Sequence, residues 1–222
     1  MSLAPMGVIV SSGGGVVATA VEILRAVGRN PVVHVVTDRA CGMETQAERL
    51  GLPHTRIVDA DRTAFSARAA QWLLRDGGCA WTCLFFSRLV DATAFAPQPC
   101  INVHPSLLPS YAGFRAVERL HADGGTVLGA TAHLVDASTD GGPIVAQVAW
   151  PVPHECPLEE LHRLSFAQKL WLLLCLMTAN GALPVMAPGT TAGAPWSRPS
   201  LDDDAVRAAY AERLRVEGIR AR

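Results

Sequence analysis

Met6-Gly7-Val8-Ile9-Val10-Ser11-Ser12-Gly13-Gly14-Gly15 is the stretch that decides the fold. Its apolar run shows no alternation, which predicts a strand covered on both faces. The Ser-Gly turn ends that run. Apolar residues at 17, 20, 21, 24 and 27 then follow helical spacing over Val16 to Val27. Strand, glycine-rich turn and helix open a βαβ unit. Pro31 to Thr37 supplies the next strand, Glu44 to Leu50 a short helix closed by Gly51, and Thr55 to Val58 a third strand. A helix over Ala64 to Asp76 is closed by Gly77-Gly78, and apolar strands follow at Ala80 to Phe86 and Cys100 to Val103. The predicted class is α/β, a Rossmann-like, mostly parallel twisted sheet with helices on both faces. In such sheets ligands bind beyond the carboxyl ends of the strands. That rule brings the Gly13–Gly15 turn, Arg88 and the loop after Asn102 and His104 to one edge.

Beyond Tyr111 the pattern changes. Arg115 to Ala122 reads as a short helix stopped by Gly124-Gly125. Gly129 to Asp136 and Ile144 to Val152 read as an antiparallel extension of the sheet. Leu158 to Ala179 reads as one long amphipathic C-terminal helix closed by Asn180-Gly181. Pro184 to Pro199 is a Pro/Gly/Ala-rich connection, and Leu201 to Arg215 a charged surface helix begun near Ser200. The expected organisation is one domain over residues 1–183, with 184–222 forming a connection and a helix packed on that same domain.

Composition excludes several classes of function. The 222 residues carry a formal net charge of −1, with 18% charged residues and no long run of one sign, which argues against general binding to nucleic acid or anionic membranes. No apolar run reaches the roughly 20 residues of a membrane span. Met1-Ser2-Leu3-Ala4-Pro5 lacks the basic and apolar regions of a signal peptide, so a cytoplasmic location is expected. The six cysteines do not form a compact disulfide framework, and Cys79-x3-Cys83 places Cys83 inside a strand. Buried free thiols are the expected state, with no metal.

Two polar features stand out against this apolar background. In Ile101-Asn102-Val103-His104-Pro105-Ser106-Leu107-Leu108-Pro109, one residue separates Asn102 from His104, so an extended backbone puts both side chains on one face. An Asn amide can donate to an oxyanion, and an imidazole exchanges protons near neutral pH. A satisfied core histidine in a proline-rich turn is the plain alternative. Asp140 precedes Gly141-Gly142-Pro143, where a carboxylate can pair with His104 and raise its pKa; an ordinary turn aspartate is the alternative there. Gly13-Gly14-Gly15 is either an anion cradle or a plain turn.

INVHPSLLPSYAGF followed by GATAHLVDASTDGGPIVAQ resembles the 10-formyltetrahydrofolate-dependent formyltransferases, and is closest to their phosphoribosylglycinamide branch. The resemblance implies an N-formyltransferase with Asn102, His104 and Asp140 as catalytic residues and 10-formyltetrahydrofolate as co-substrate. It implies that Asn102 and a protonated His104 stabilise a tetrahedral oxyanion. Asp140 keeps His104 charged and organises a water that carries the proton from the amine to N10. Phe86, Arg88, Leu89, Val90, Val135 and Asp136 match the family's folate pocket, with Arg88 at its mouth for the glutamate tail.

The acceptor side departs from the pattern. Where the purine enzyme has Gly-Asn-Gly-Ser-Asn-Leu, this chain has Ser12-Gly13-Gly14-Gly15-Val16-Val17, and where it has a Glu-His pair this chain has Gln168-Lys169. Arg115 stands where the purine enzyme carries histidine. The expected acceptor-side residues are therefore Gly13, Gly14, Gly15, Arg115, Gln168 and Lys169. The partner they imply is a small-molecule amine of specialised metabolism, with the chain acting as monomer or homodimer. Glycinamide ribonucleotide as acceptor, hydrolysis of the formyl donor, and a folate-binding protein without chemistry are the alternatives.

Overall fold

The computed structural model describes residues 3–181 and 199–219. Seven strands form one sheet in the order β3-β2-β1-β4-β5-β6-β7. They are β1 (Met6–Val10), β2 (Val33–Thr37), β3 (His54–Arg56), β4 (Trp81–Phe85), β5 (Cys100–His104), β6 (Val127–Leu134) and β7 (Ile144–Pro151). The first five run parallel, and β6 and β7 add an antiparallel pair. The predicted class and extension are both present. The chain winds outward from β1 to β3, returns to β4, and continues the other way. The carboxyl ends of β1 and β4 therefore flank the point where the winding reverses, which is where open α/β sheets take their ligands.

The helices are α1 (Gly15–Ala26), α2 (Gly42–Leu50), α3 (Arg62–Gln71), α4 (Ala92–Phe95), α5 (Ala116–Ala122), α6 (Leu158–Thr178) and α7 (Asp204–Val216). Residues 182–198, which hold nearly all of the predicted Pro/Gly-rich connection, lie outside the described residues. The helix expected over Ala64 to Asp76 is in fact α3 followed by a π-helical turn, Trp72–Asp76, in which Gly77 N–H donates across five residues to the Trp72 carbonyl at 2.9 Å. A side chain at Gly77 would meet His34 Nδ1 at 2.8 Å, so the wider turn seats the backbone against β2. The short α4 was not anticipated; Asp91 caps it through the Thr93 N–H at 2.9 Å.

The long helix corrects the expectation that it is amphipathic throughout, while the apolar run Leu170 to Met177 is the buried helix segment its composition implies. Every residue from Leu170 to Met177 is buried, so this half of α6 is apolar all round and forms the middle of the core, whereas an amphipathic helix would show solvent a full face. The helix is covered by α7, whose Tyr210 hydroxyl donates to the Ala167 carbonyl at 3.0 Å. Arg213 joins α7 to Glu22 of α1 at 2.6 Å, and Arg29 pairs with Asp203. The six cysteines are free thiols, five of them buried, and burial pushes the Cys100 thiol up to about 12. Among the described residues no helix is long and apolar enough to cross a membrane.

Two loops at the sheet's carboxyl edge are pinned in place. In the first, Thr131 on β6 donates to the Ser106 carbonyl at 2.7 Å and accepts from Leu108 N–H at 3.0 Å, while Gln147 of β7 donates to the Leu108 carbonyl. The Leu108–Pro109 peptide is cis. In the second, which joins β6 to β7, the Leu134 N–H bonds the Pro143 carbonyl at 2.9 Å, and Gly142 lies so close that an added Cβ would stand 1.9 Å from the Leu134 carbonyl oxygen. Backbone cannot yield as a flexible side chain can. Gly142→Ala is therefore expected to destabilise the protein by about 2 kcal/mol or more in urea unfolding and to displace the Asp140 loop, whereas Gly13→Ala, where nothing lies within 4 Å, should be close to neutral.

Candidate active site

Strand β5 directs Asn102 and His104 to the same face, as the one-residue spacing requires. Strand β6 runs antiparallel beside it, in a register that sets His133 opposite Asn102 and Thr131 opposite His104. The β6–β7 loop then returns Asp140 over that face. Its carboxylate gathers four groups. Asn102 Nδ2 donates to Oδ1 at 3.1 Å, and His133 Nε2 stands 3.5 Å from the same oxygen. The Gly113 N–H donates to Oδ2 at 2.8 Å, and His104 Nδ1 stands 3.3 Å from it. The three residues expected to meet do meet. Asp140, Tyr111 and Arg115 all have positive φ, of 53°, 56° and 57°. Left-handed backbone is unusual for Tyr and Arg, and such strain collects at functional sites.

His133 was not singled out from the sequence. It is buried, 3.1 Å from Asn102 Nδ2, with its Nδ1 3.0 Å from the Leu134 carbonyl. That carbonyl can only accept, which assigns a proton to Nδ1; Nε2 accepts from Asn102 in the neutral ring and donates to the Asp140 carboxylate when the ring is protonated. The signal was available. Thr131 and His133 are polar residues at alternate positions of an otherwise apolar strand.

The electrostatics correct another expectation. The His133 hydrogen bond is the largest influence on Asp140, and with the Gly113 N–H it outweighs burial, holding the carboxyl down to about 2. His104 moves the other way from what pairing alone implies. Burial is the largest influence and lowers its pKa, against the Tyr111 carbonyl and Asp140, which act to raise it. Burial thus favours the neutral imidazole, with Nε2 3.0 Å from the Tyr111 carbonyl. Asp140 does not by itself keep it charged.

These groups form the floor of a cleft of about 380 Å³. Phe86, Leu89, Val90 and Val135 line one end, together with Arg88 and Asp136, so all six expected folate-pocket residues reach the cleft. Phe86 stacks on Phe65 with ring centroids 5.1 Å apart. Arg88 is already engaged. Its guanidinium bonds the Asp59 and Ala60 carbonyls at 2.9 and 3.2 Å, stands 3.6 Å from Asp38, and lies over the Phe65 ring. It fixes the wall of the slot more than it offers a free cation, and Arg62, which the sequence reading passed over, lines the same end.

Ser11, Ser12, Phe114, Arg115 and Lys169 line the same cleft. Gly13, Gly14 and Gly15 are not among the lining residues. Gly14 is buried with φ 68°, and an added Cβ would meet Met43 Sδ at 2.1 Å, so the turn needs glycine to pack α1 against α2. Gln168 points into the core, where Nε2 donates to the Leu128 carbonyl at 3.0 Å. Lys169, its neighbour, reaches the cleft. Among the described residues no group of His, Cys, Asp and Glu is arranged to hold a metal ion.

Comparison with known proteins identifies this architecture. The family model for formyl transferase matches residues 7–175. The chain belongs to the formyl transferase family. A phosphoribosylglycinamide formyltransferase of Mycobacterium tuberculosis is 41% identical over 92 residues, which cover 41% of this chain and 43% of that relative. The match thus spans less than half of that relative's length. The trifunctional purine biosynthetic protein adenosine-3 of Bos taurus is 32% identical over 163 residues, 68% of this chain and 16% of the relative. Among solved structures, glycinamide ribonucleotide transformylase 1 of Symbiobacterium toebii superposes with a TM-score of 0.75 at 30% identity, covering 83% of this chain and 92% of that one.

Linkage gives the centre a measurable signature. A folded-state pKa of about 2 against an ordinary 3.8 stabilises the fold above the ordinary value, by on the order of 2 kcal/mol, and that stability is lost as pH falls from about 4 toward 2. Chemical unfolding of Asp140→Asn should show a deficit of that size at pH 6, narrowing steadily below pH 4.

Proposed function

We propose that this formyl transferase moves the formyl group of 10-formyltetrahydrofolate to a primary amine of a small-molecule acceptor. The observation that carries the reading is the ionised Asp140 surrounded by Asn102, His104 and His133 beside an aromatic-walled slot. The slot's volume, apolar walls and few convergent polar groups suit a flat, ring-bearing ligand. The donor supplies an electrophilic formyl carbon, and every other requirement falls on the chain's residues.

Attack by an amine puts negative charge on the formyl oxygen. Asn102 presents an amide donor to that oxygen, and His104, once protonated, a second. The developing oxyanion supplies a counter-charge to the buried imidazole, so His104 gains its proton as the charge appears. Asp140 is too acidic to hold a proton itself at neutral pH and instead orients the water that carries the amine's proton to the departing N10.

We infer that the acceptor is a specialised amine. In support, the glycine turn stays out of the cleft, Gln168 is turned into the core, and a lysine takes the position facing the cleft. A second reading, glycinamide ribonucleotide as acceptor, is supported at least as strongly by the names of the relatives and of the superposed structure. The shared stretch does not choose between them. A methionyl-tRNA formyltransferase of Roseiflexus sp. is 43% identical over 63 residues, although its name carries a different acceptor.

Tetrahydrofolate release from 10-formyltetrahydrofolate, followed with no amine, with glycinamide ribonucleotide and with a panel of amino sugars and amino acids, tests the reading. Amine-dependent release is expected, and Asn102→Ala should reduce it by about 10²–10³ while tetrahydrofolate affinity is retained. Equal release without any amine would assign a hydrolase, and wild-type turnover in Asn102→Ala would remove this centre from the chemistry.

A further inference from the structure

Lys169 is the sole lysine among the 19 lysines and arginines of the chain. It lies on α6 and lines the cleft, in the same cavity as Asn102, His104, His133 and Asp140. Among the described residues its ammonium nitrogen has no hydrogen bond and no ion pair, whereas Gln168 beside it is tied into the core. The side chain is part-exposed to the cleft, and the protein around it is dense enough that desolvation draws its pKa below the ordinary value of 10.5. Desolvation disfavours the charged form, so an unpartnered lysine in that position gives up its proton more readily than one in water.

Amine formylation sets a requirement that the rest of the centre does not meet. At neutral pH a primary amine is an ammonium, and it attacks carbon only after losing one proton. A proton acceptor is effective when its pKa lies near that of the working range. Asp140, at about 2, is far too weak a base, and burial weakens His104 as well, with Nε2 facing the Tyr111 carbonyl. The remaining titratable groups on the cleft walls are His133, whose Nε2 is taken up by Asn102 and Asp140, and Arg62, Arg88, Arg115 and Asp136. Arginine side chains offer only donors, and Asp136 is held low by its Ser138 hydrogen bonds. A need for positive charge alone would not call for the one lysine in a chain that otherwise uses arginine, which offers more donors.

We propose that Lys169 is the base that deprotonates the acceptor's ammonium in the formyl-transfer cleft. This rests on the formyl-transfer reading given above. The neutral Lys169 nitrogen takes one proton from R–NH3+, giving R–NH2 and Lys–NH3+. The freed amine bonds to the formyl carbon, its second surplus proton passes by way of the Asp140 water to N10, and the C–N10 bond breaks. Lys169 returns its proton to solvent, so the products are R–NH–CHO, tetrahydrofolate and H+. Asn102, His104 and Asp140 thus act on the carbonyl side of the reaction and Lys169 on the amine side.

Lys169→Arg and Lys169→Met decide the matter in the full-length protein, with single-turnover tetrahydrofolate release measured from pH 6 to 9.5 and tetrahydrofolate binding measured alongside. The acceptor is whichever primary amine the wild type uses best, from glycinamide ribonucleotide and the amine panel. Both variants should bind tetrahydrofolate as the wild type does and lose about 10²–10³ in rate at pH 7, with the deficit shrinking about tenfold per pH unit as solvent supplies free amine. His104, His133, Asp140 and the exposed Glu118–His162 pair on α5 and α6 are present in all three proteins, so the variants are compared as a difference profile against the wild type. Near-wild-type turnover in Lys169→Arg overturns the proposal and makes the residue an anion contact. A deficit that does not change with pH overturns it in favour of a structural role. A wild type that transfers to no amine overturns the formyl-transfer reading itself, and Lys169 as base with it.

Discussion

A carboxylate taken out of water costs several kcal/mol unless donors meet it, and the Asp140 carboxylate is the constraint around which this sheet edge is arranged. Each of its partners comes from a different part of the fold. The β5–β6 register supplies Asn102 and His133 side by side, and the end of β5 supplies His104. The Gly113 N–H arrives only because the loop after β5 is anchored through Thr131 and Gln147. Gly142 allows the β6–β7 loop to lie against Leu134 and so return Asp140 to the site. The left-handed backbone at Tyr111, Arg115 and Asp140 is held by this set of contacts.

The arrangement separates charge within a small volume. Asp140 is ionised across the whole working range, while the imidazole beside it is pushed toward neutrality by burial. Pairing and desolvation act on His104 in opposite directions, and desolvation is the larger. The centre is therefore poised to favour charge that develops on a substrate over charge carried beforehand. That is the condition under which preorganised groups accelerate a reaction and do more than bind the ground state.

Much of this was legible in the sequence, for identifiable reasons. The unbroken apolar run at Met6–Val10 and the valine-rich Val33–Thr37 read as strands covered on both faces, so the parallel sheet followed directly. Asn102-x-His104 fixed a shared face through the two-residue period of a strand, and the family resemblance set Asp140 beside it. The rest depended on contacts that no local pattern encodes. His133 matters because of a cross-strand register, and the π-helical turn at Trp72–Asp76 arises from how Gly77 meets His34. Gln168 and Lys169 are adjacent on one helix, yet rotation about the axis sends one into the core and the other to the cleft. Arg88 read as a free cation until the Asp59 and Ala60 carbonyls were seen to hold it.

The central claim is that Asn102 and Asp140 work as parts of one centre, and a double-mutant cycle on single-turnover formyl transfer tests it most directly. Residues that act as a unit are strongly non-additive. The account predicts that Asn102→Ala combined with Asp140→Asn is about as slow as the slower single variant. Rate losses that multiply in the double variant would contradict it, because they would mean that the two side chains serve the reaction independently.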